Sequence, residues 1–235
     1  MVDDAFARDA LQRCVLFSRL DPAGIDACLA HLRIRRYRRN ETIFHQGDPG
    51  GALHVIARGS VKVLLASPEG GPPAILSTLR AGQFFGEIAL LDGEPHSATV
   101  VAMEETEALV LDRADFDALL DTQPGFGRAM LAGLAKGFRR LTDHVEALVF
   151  LELPARLALR IAVLAEDVRD PGLPAGAEVR LDWPYTQSEL AGMVGGSRES
   201  VNRLLADFVA RGLVRFEHDT LVVPDPARLT AEARR

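Results

Sequence analysis

The segment Thr186-Gln187-Ser188-Glu189-Leu190-Ala191-Gly192-Met193-Val194-Gly195-Gly196-Ser197-Arg198-Glu199-Ser200-Val201-Asn202-Arg203-Leu204-Leu205 decides the fold of the C-terminal part of the chain. Ala191 is small where two helices must cross closely. Gly195, four residues on, suits a tight left-handed turn, and Val201, six further on, returns an apolar side chain to the first helix. This is the spacing of a helix-turn-helix. Ser197 is placed to cap the second helix. Arg198, Glu199 and Arg203 then stand near its N-terminal end. Arg donates bidentately to guanine O6 and N7 and Glu accepts from cytosine N4, each good pair discriminating by about 1–3 kcal/mol. Thr186, Gln187, Ser197, Ser200 and Asn202 complete the predicted DNA-contacting set. The bland alternative is a solvated helix face carrying an ion pair.

The segment after it, Leu213 to Phe216 and Leu221 to Val223 turning at His218-Asp219, reads as a hairpin wing, with Arg211 and Arg215 as candidate phosphate contacts. Trp183, Pro184 and Tyr185 are expected to pack the wing against the helices. Residues 186–215 hold four Arg against three acids, 4 − 3 = +1, so affinity is expected to rest on a dimer and a few placed contacts. Upstream, Leu157, Ile161 and Leu164 mark an amphipathic helix, and Leu153-Pro154 ends or bends the one before it. That earlier helix carries Leu131, Leu134, Phe138, Leu141, Val145 and Leu148, spaced 3, 4, 3, 4 and 3. A helix packed on its own domain would show such a stripe, as would a parallel coiled coil between two subunits; the narrow seam favours the second. Gly127, Gly133 and Gly137 each weaken the helix by about 1 kcal/mol relative to Ala but permit close approach.

The N-terminal half reads differently. Residues 5–31 suggest short helices, with Asp21-Pro22 as a start signal. Residues 33–111 are broken by Gly and Pro every eight to twelve residues, with short apolar or alternating runs between, which predicts antiparallel strands in a sandwich or barrel. The basic run Arg33, Arg35, Arg36, Arg38 and Arg39 is expected to be the exposed face of a first strand. Asp112 or Asp115 is expected to cap a helix. Within this half, Gly86-Glu87-Ile88-Ala89 offers a turn with backbone N–H groups, close approach at Gly86 and one carboxylate. His96-Ser97-Ala98 sets polar groups ahead of a strand. Such a combination can hold an anion and accept from hydroxyls.

Composition bounds the rest. The chain has 235 residues, with 27 Lys and Arg against 33 Asp and Glu, a formal net charge of −6. That length allows one or two domains. A chain that is 48% apolar and 26% charged is neither wholly disordered nor collagen-like. Proteins that coat nucleic acid without sequence preference are usually basic, so that role is excluded for the whole chain. Cys14 and Cys28 are too few for a four-Cys zinc site or an iron–sulfur cluster, and a reducing cytoplasm is the expected setting. No secretory leader is visible at Met1-Val2-Asp3-Asp4, and no apolar run is long enough for a membrane helix. The sequence contains no His-Glu-x-x-His, Gly-x-Ser-x-Gly or phosphate-loop lysine motif, so an enzyme is not expected.

From about residue 15 to 230 the chain resembles the Crp/Fnr family of bacterial transcription regulators. The resemblance rests on Phe85-Gly86-Glu87-Ile88-Ala89-Leu90-Leu91 through Ser97-Ala98-Thr99-Val100, then on Glu189-Leu190-Ala191, Gly195, Ser197-Arg198-Glu199 and Arg203. It implies an α+β protein: an antiparallel β-roll of the cyclic nucleotide-binding type over residues 1–123, a dimerisation helix and hinge over 124–153, and a winged helix-turn-helix over 154–235. It also implies a homodimer on palindromic double-stranded DNA with TGTGA-like half-sites, RNA polymerase as a further partner, and no membrane or metal. In cyclic-AMP-binding members, the residues matching Gly86 and Glu87 hold the ribose side of the nucleotide. Those matching Ser97 and Ala98 hold the cyclic phosphate, and a hydroxyl matched by Thr142 reaches the purine. Ile88, Ala89 and His96 complete the implied effector set. His96 stands where those members usually have Arg, and Leu141 where some have a second hydroxyl. The effector is therefore cyclic AMP, cyclic GMP, cyclic di-GMP or none. The N-terminal Cys cluster of oxygen-sensing members is missing, and His45 and His54 do not form a haem ligand set. A nucleotide-sensing module acting on a protein partner is the rival from another class.

Overall fold

Asp21 does at the N-terminus what its position before a proline predicts. Helix α1 spans Asp4–Arg13, and α2 spans Pro22–Leu29 with the Asp21 carboxylate accepting from the Gly24 N–H at 2.7 Å. The Gly-punctuated stretch then forms strands β1 (Arg33–Tyr37), β2 (Thr42–Phe44), β3 (Ala52–Arg58), β4 (Ser60–Leu65), β5 (Ala74–Arg80) and β6 (Phe84–Phe85). The short helix α3 (Glu87–Asp92) is followed by β7 (Thr99–Ala102), β8 (Thr106–Asp112) and helix α4 (Arg113–Thr122). Two sheets result, ordered β1-β8-β3-β6 and β2-β7-β4-β5, with antiparallel pairing. Ile56 and Phe85 from the first sheet pack with Val61 and Val100 from the second, so the sheets face each other as a roll. The computed structural model describes residues 4–18, 20–67, 73–170, 172–174 and 176–234.

Strand β3 is buried from Leu53 to Ala57. Its Leu53, Val55 and Ala57 side pack against Leu11, Phe17, Phe116 and Phe126 outside the roll. Strand β1 shows the arginine face the sequence predicts: Arg33 pairs with Asp112, and Arg36 with Glu107 at 2.7 Å, across the β1–β8 ladder. That pairing corrects the capping expectation. Asp112 sits at the cap position of α4 but makes no capping bond, and Asp115 meets His31 at 3.1 Å instead. Cys14 and Cys28 are both buried, and burial pushes each thiol up to about 11.

Helix α5 runs Pro124–Phe150 and α6 runs Leu153–Val168, so Pro154 opens the second helix rather than bending the first. The chain divides into two compact units within α5, between Arg140 and Leu141. The second unit continues with β9 (Val179–Asp182), α7 (Gln187–Val194), α8 (Arg198–Ala210), β10 (Arg215–Glu217), β11 (Thr220–Val223) and α9 (Pro226–Glu232). The expected hairpin is present, turning at His218 with φ 54°, and it gains β9 as a third strand in the order β10-β11-β9. Sequence reading missed β9 and α9. Both left signals: Val179 and Leu181 alternate with Arg180 and Asp182, and Asp225-Pro226 repeats the start signature of α2.

The β3–β4 turn is the tightest test of this roll. Gly59 has φ +87°, and a Cβ there would lie 2.6 Å from both the Glu105 carbonyl oxygen and Thr106 Oγ1. Gly47 has φ +90° but nothing within 4 Å. Gly47→Ala is expected to cost about 1–2 kcal/mol from backbone strain alone. Gly59→Ala adds a backbone clash and is expected to cost about 3–5 kcal/mol. Urea denaturation of the two variants, followed by circular dichroism, checks the difference.

Candidate functional site

The candidate pocket of the first unit is built around the passage of β6 past β3. Gly86, with φ 89°, lies so close to β3 that a Cβ would stand 2.7 Å from the Ala52 carbonyl oxygen and 3.5 Å from His54 Nδ1. Only glycine fits that approach. Glu87 follows, half-buried, with its carboxyl pushed above the ordinary value by burial. Ile88 is exposed, and Ala89 is buried against Gly50. Arg113, which sequence reading did not single out, anchors this segment by donating to the Ala89 and Leu90 carbonyls at 2.8 and 2.9 Å.

His96 is 7% exposed and lies flat on Phe44, with ring centroids 3.5 Å apart and planes 4° apart. Its backbone N–H donates to the Asp48 carbonyl at 2.8 Å, and its carbonyl accepts from Gly47 at 2.9 Å. Burial lowers its pKa, opposed by the Asp48 charge, so the imidazole is neutral at pH 7. Ser97 is exposed and Ala98 buried. The two predicted groups are linked through aromatic rings: Phe44 packs against Phe85 at 5.8 Å, and Phe85 stacks on His54 at 4.8 Å. Thr142 lies on the exposed surface of α5 within the second unit. No group of His, Cys, Asp and Glu among the described residues can hold a metal ion.

The apolar residues of α5 divide. Leu134 is half-buried against the core of the first unit. Leu131 and Phe138 are 68% and 72% exposed, and Leu141, Val145 and Leu148 are exposed as well. No helix among the described residues is long and apolar enough to cross a membrane.

The helix-turn-helix forms as its residues dictate. Thr186 and Glu189 make a reciprocal capping box, with Thr186 N–H to Glu189 Oε2 at 2.7 Å and Glu189 N–H to Thr186 Oγ1 at 3.2 Å. Gly195 ends α7 in the left-handed conformation. Ser197 Oγ caps α8 by accepting from the Ser200 N–H at 3.1 Å. Ala191 and Val201 are buried where the helices cross. Thr186, Gln187, Ser197, Arg198, Glu199 and Arg203 are exposed, and Ser200 is half-buried. Asn202 is also half-buried, with its Oδ1 turned inside. Trp183 packs edge-on against Tyr185 and against Phe216 of the wing, and Tyr185 is buried.

The wing departs from expectation. Arg215 donates to Glu217 and Glu178, both at 2.8 Å, and Arg180 pairs with the same two acids. Arg211 is held by Asp207 at 3.1 Å and Glu232 at 2.5 Å. The arginines predicted to meet phosphates are therefore committed to carboxylates. Arg198, Glu199 and Arg203 have no hydrogen-bond or ion-pair partner among the described residues.

A bracket that the sequence did not reveal ties this unit together. Arg156 donates through Nη1 to the Leu151 carbonyl at 2.8 Å, through Nε to Val194 at 2.7 Å and through Nη2 to Gly195 at 3.3 Å. One guanidinium thus joins the end of α5 to the turn of the helix-turn-helix. Arg156→Ala is expected to destabilise this unit by about 2–4 kcal/mol, because several carbonyls lose a charged donor. Arg156→Lys should recover less than half, since an ammonium cannot fork across the three acceptors. Trp183, the one tryptophan, lies in this unit and reports its unfolding by fluorescence.

Comparison with known proteins gives the geometry its context. Residues 34–123 match the cyclic nucleotide-binding domain model, and residues 155–232 match the Crp-like helix-turn-helix domain model. The chain is 31% identical over 226 residues to the CRP-like cAMP-activated global transcriptional regulator of Mycobacterium tuberculosis, covering 96% of this chain and 99% of that one. It is 35% identical to the cyclic AMP receptor protein of Thermus thermophilus, over 91% of this chain and 94% of the relative. The structure of the c-di-GMP-responsive global regulator CLP of Xanthomonas campestris superposes with a TM-score of 0.72 at 26% identity, covering 86% of this chain and 99% of that one. A cyclic nucleotide-binding domain that precedes a Crp-like helix-turn-helix, in a chain aligned nearly end to end with such regulators, places this protein in the Crp/Fnr family of DNA-binding transcription regulators.

Proposed function

We propose that the protein is a homodimeric, non-enzymatic cytoplasmic regulator that reads palindromic DNA under the control of a cyclic nucleotide in the β-roll. The carrying observation is the division of charge in the second unit. The arginines of the wing and of the C-terminal end of α8 are neutralised by carboxylates, whereas Arg198, Glu199 and Arg203 are uncommitted at the N-terminal end of α8. Base reading needs polar groups whose hydrogen bonds to the base edges repay their lost hydration, and uncommitted ones can make those bonds without first breaking an ion pair. The exposed Leu131, Phe138, Leu141, Val145 and Leu148 supply the dimer seam, which sets two recognition helices about one DNA turn apart. RNA polymerase is the further partner of this reading.

The roll residues fit a nucleotide. Gly86 leaves backbone bare, and Glu87 and Ser97 bring polar groups. A cyclic nucleotide supplies an anionic phosphate, a ribose and a purine. Of the named relatives, two respond to or receive cyclic AMP and one responds to cyclic di-GMP. Cyclic AMP and cyclic GMP are the candidates favoured here, with cyclic di-GMP the second reading. In this reading residues 152–154 are the hinge, and Arg156, which donates to Leu151, Val194 and Gly195, is the contact that relays a displacement at the end of α5 to the helix-turn-helix. Control requires the effector to bind the two states of that hinge with different affinity.

Two outcomes test the reading. Arg198→Ala combined with Arg203→Ala is expected to weaken binding to a TGTGA palindrome at least 100-fold at fixed salt, with nucleotide binding unchanged. Fluorescence anisotropy measures the first and calorimetry the second; retained DNA specificity refutes the base-reading role. His96 must gain a proton to grip phosphate, because burial lowers its pKa. Cyclic AMP and cyclic GMP should therefore bind more tightly as pH falls from about 8 to 6. His96→Arg should flatten that dependence and tighten binding by about tenfold or more, since a fixed guanidinium contributes about 1.5–3 kcal/mol to a phosphate.

A further inference from the structure

His54 is a buried polar residue that neither the fold nor the base-reading mechanism uses. It lies in the middle of β3, 9% exposed, with its ring stacked on Phe85 at 4.8 Å and 11° and tilted against Phe44 at 6.0 Å. Nδ1 has no hydrogen-bond partner. The Ala52 carbonyl is close enough to favour a protonated ring, yet it does not meet Nδ1 with hydrogen-bond geometry. A buried donor or acceptor left unmade is costly, and native proteins keep few of them. A phenylalanine or leucine would fill this place among aromatic rings without that cost. The unmet atom also lies beside the Gly86–Glu87 segment: it stands 3.5 Å from where a Cβ of Gly86 would be, at the crossing where the Ala52 carbonyl oxygen, 2.7 Å from that point, excludes any side chain.

We propose that His54 is a ligand-contacting residue of the roll, its Nδ1 hydrogen-bonding an uncharged polar group of a nucleotide held against Gly86 and Glu87. The uncharged group follows from the surroundings. Burial, with His96 and Arg35 nearby, holds the imidazole neutral, its pKa lowered to about 4, so it is a hydrogen-bonding group and not a phosphate grip. His96, stacked on Phe44, is then the residue left for the anion. This inference rests on the nucleotide reading above.

The test uses the full-length protein, with cyclic AMP and cyclic GMP as probes in isothermal titration calorimetry. His54→Phe is expected to weaken the nucleotide that binds wild type at least tenfold, while the melting temperature of the ligand-free protein stays level or rises. A structural histidine gives the reverse: unchanged affinity and a lower melting temperature, which overturns the proposal. His54→Leu repeats the comparison should the larger ring fail to fold. A measurement without substitution runs beside both: in histidine-labelled wild type, saturating nucleotide should move the His54 Nδ1 nitrogen resonance, and an unmoved resonance at saturation overturns the contact. Wild type that binds neither nucleotide overturns the cyclic mononucleotide reading and this inference together. Wild type that binds, with a variant that binds equally well, overturns this inference alone.

Discussion

A strand with no solvent face constrains the first unit. From Leu53 to Ala57, β3 is covered on both sides: Leu53, Val55 and Ala57 by α1, α4 and α5, and Ile56 by the opposite sheet. Burial on two faces removes the usual alternation of apolar and polar residues and turns the strand into an apolar run. Any polar residue in such a run must find a partner inside or carry the cost. His54 is that residue; it stands opposite Phe85 in the β3–β6 pair, and Gly86 follows Phe85 directly. The same crossing forbids a side chain at Gly86, so the requirement for bare backbone and the presence of an unmet nitrogen have one geometric origin.

In the second unit the decisive constraint is electrostatic rather than steric. The segment from Thr186 to Arg215 is nearly neutral, so its few charges matter by placement. Carboxylates at Glu178 and Glu217 draw Arg180 and Arg215 into a closed network on the wing. To contact a phosphate, those arginines would first have to release a carboxylate and then hold it near the DNA backbone, which is unfavourable at close range. Arg198 and Arg203 face no such competition. The proposed binding is therefore concentrated at the N-terminal end of one helix, which favours sequence discrimination over general attraction to DNA.

Local pattern was enough for most of the fold. The caps at Asp21, Thr186 and Ser197, the turn at Gly195, the heptad stripe of α5 and the wing all follow from spacing within a few residues, because helices and turns are set by short-range rules. What escaped depends on chain segments far apart in sequence. Arg113 reaches back to Ala89, Arg156 forward to Val194, Arg215 to Glu178, and His96 to Phe44. No periodicity announces such pairs. The capping role expected of Asp112 failed for the same reason: Arg33 in β1 competes for its carboxylate across the sheet. Of the proposed effector residues, the sequence displayed Gly86, Glu87 and His96 through their motif, but not His54, whose significance is that it lacks a partner.

The chemistry of the roll also bears on control. A fixed arginine at position 96 would carry its charge at every pH and attract a phosphate from a distance whatever the local geometry. Attraction that is equal in two states shifts neither of them. A neutral His96 stacked on Phe44, beside an unmet His54, leaves the proposed effector dependent on directional hydrogen bonds and a proton taken up on binding. Those interactions are sensitive to small displacements of β3, β6 and the segment before β7, whereas a long-range charge is not. A roll of this kind trades raw affinity for dependence on geometry, and dependence on geometry is what lets a bound ligand favour one conformation over another.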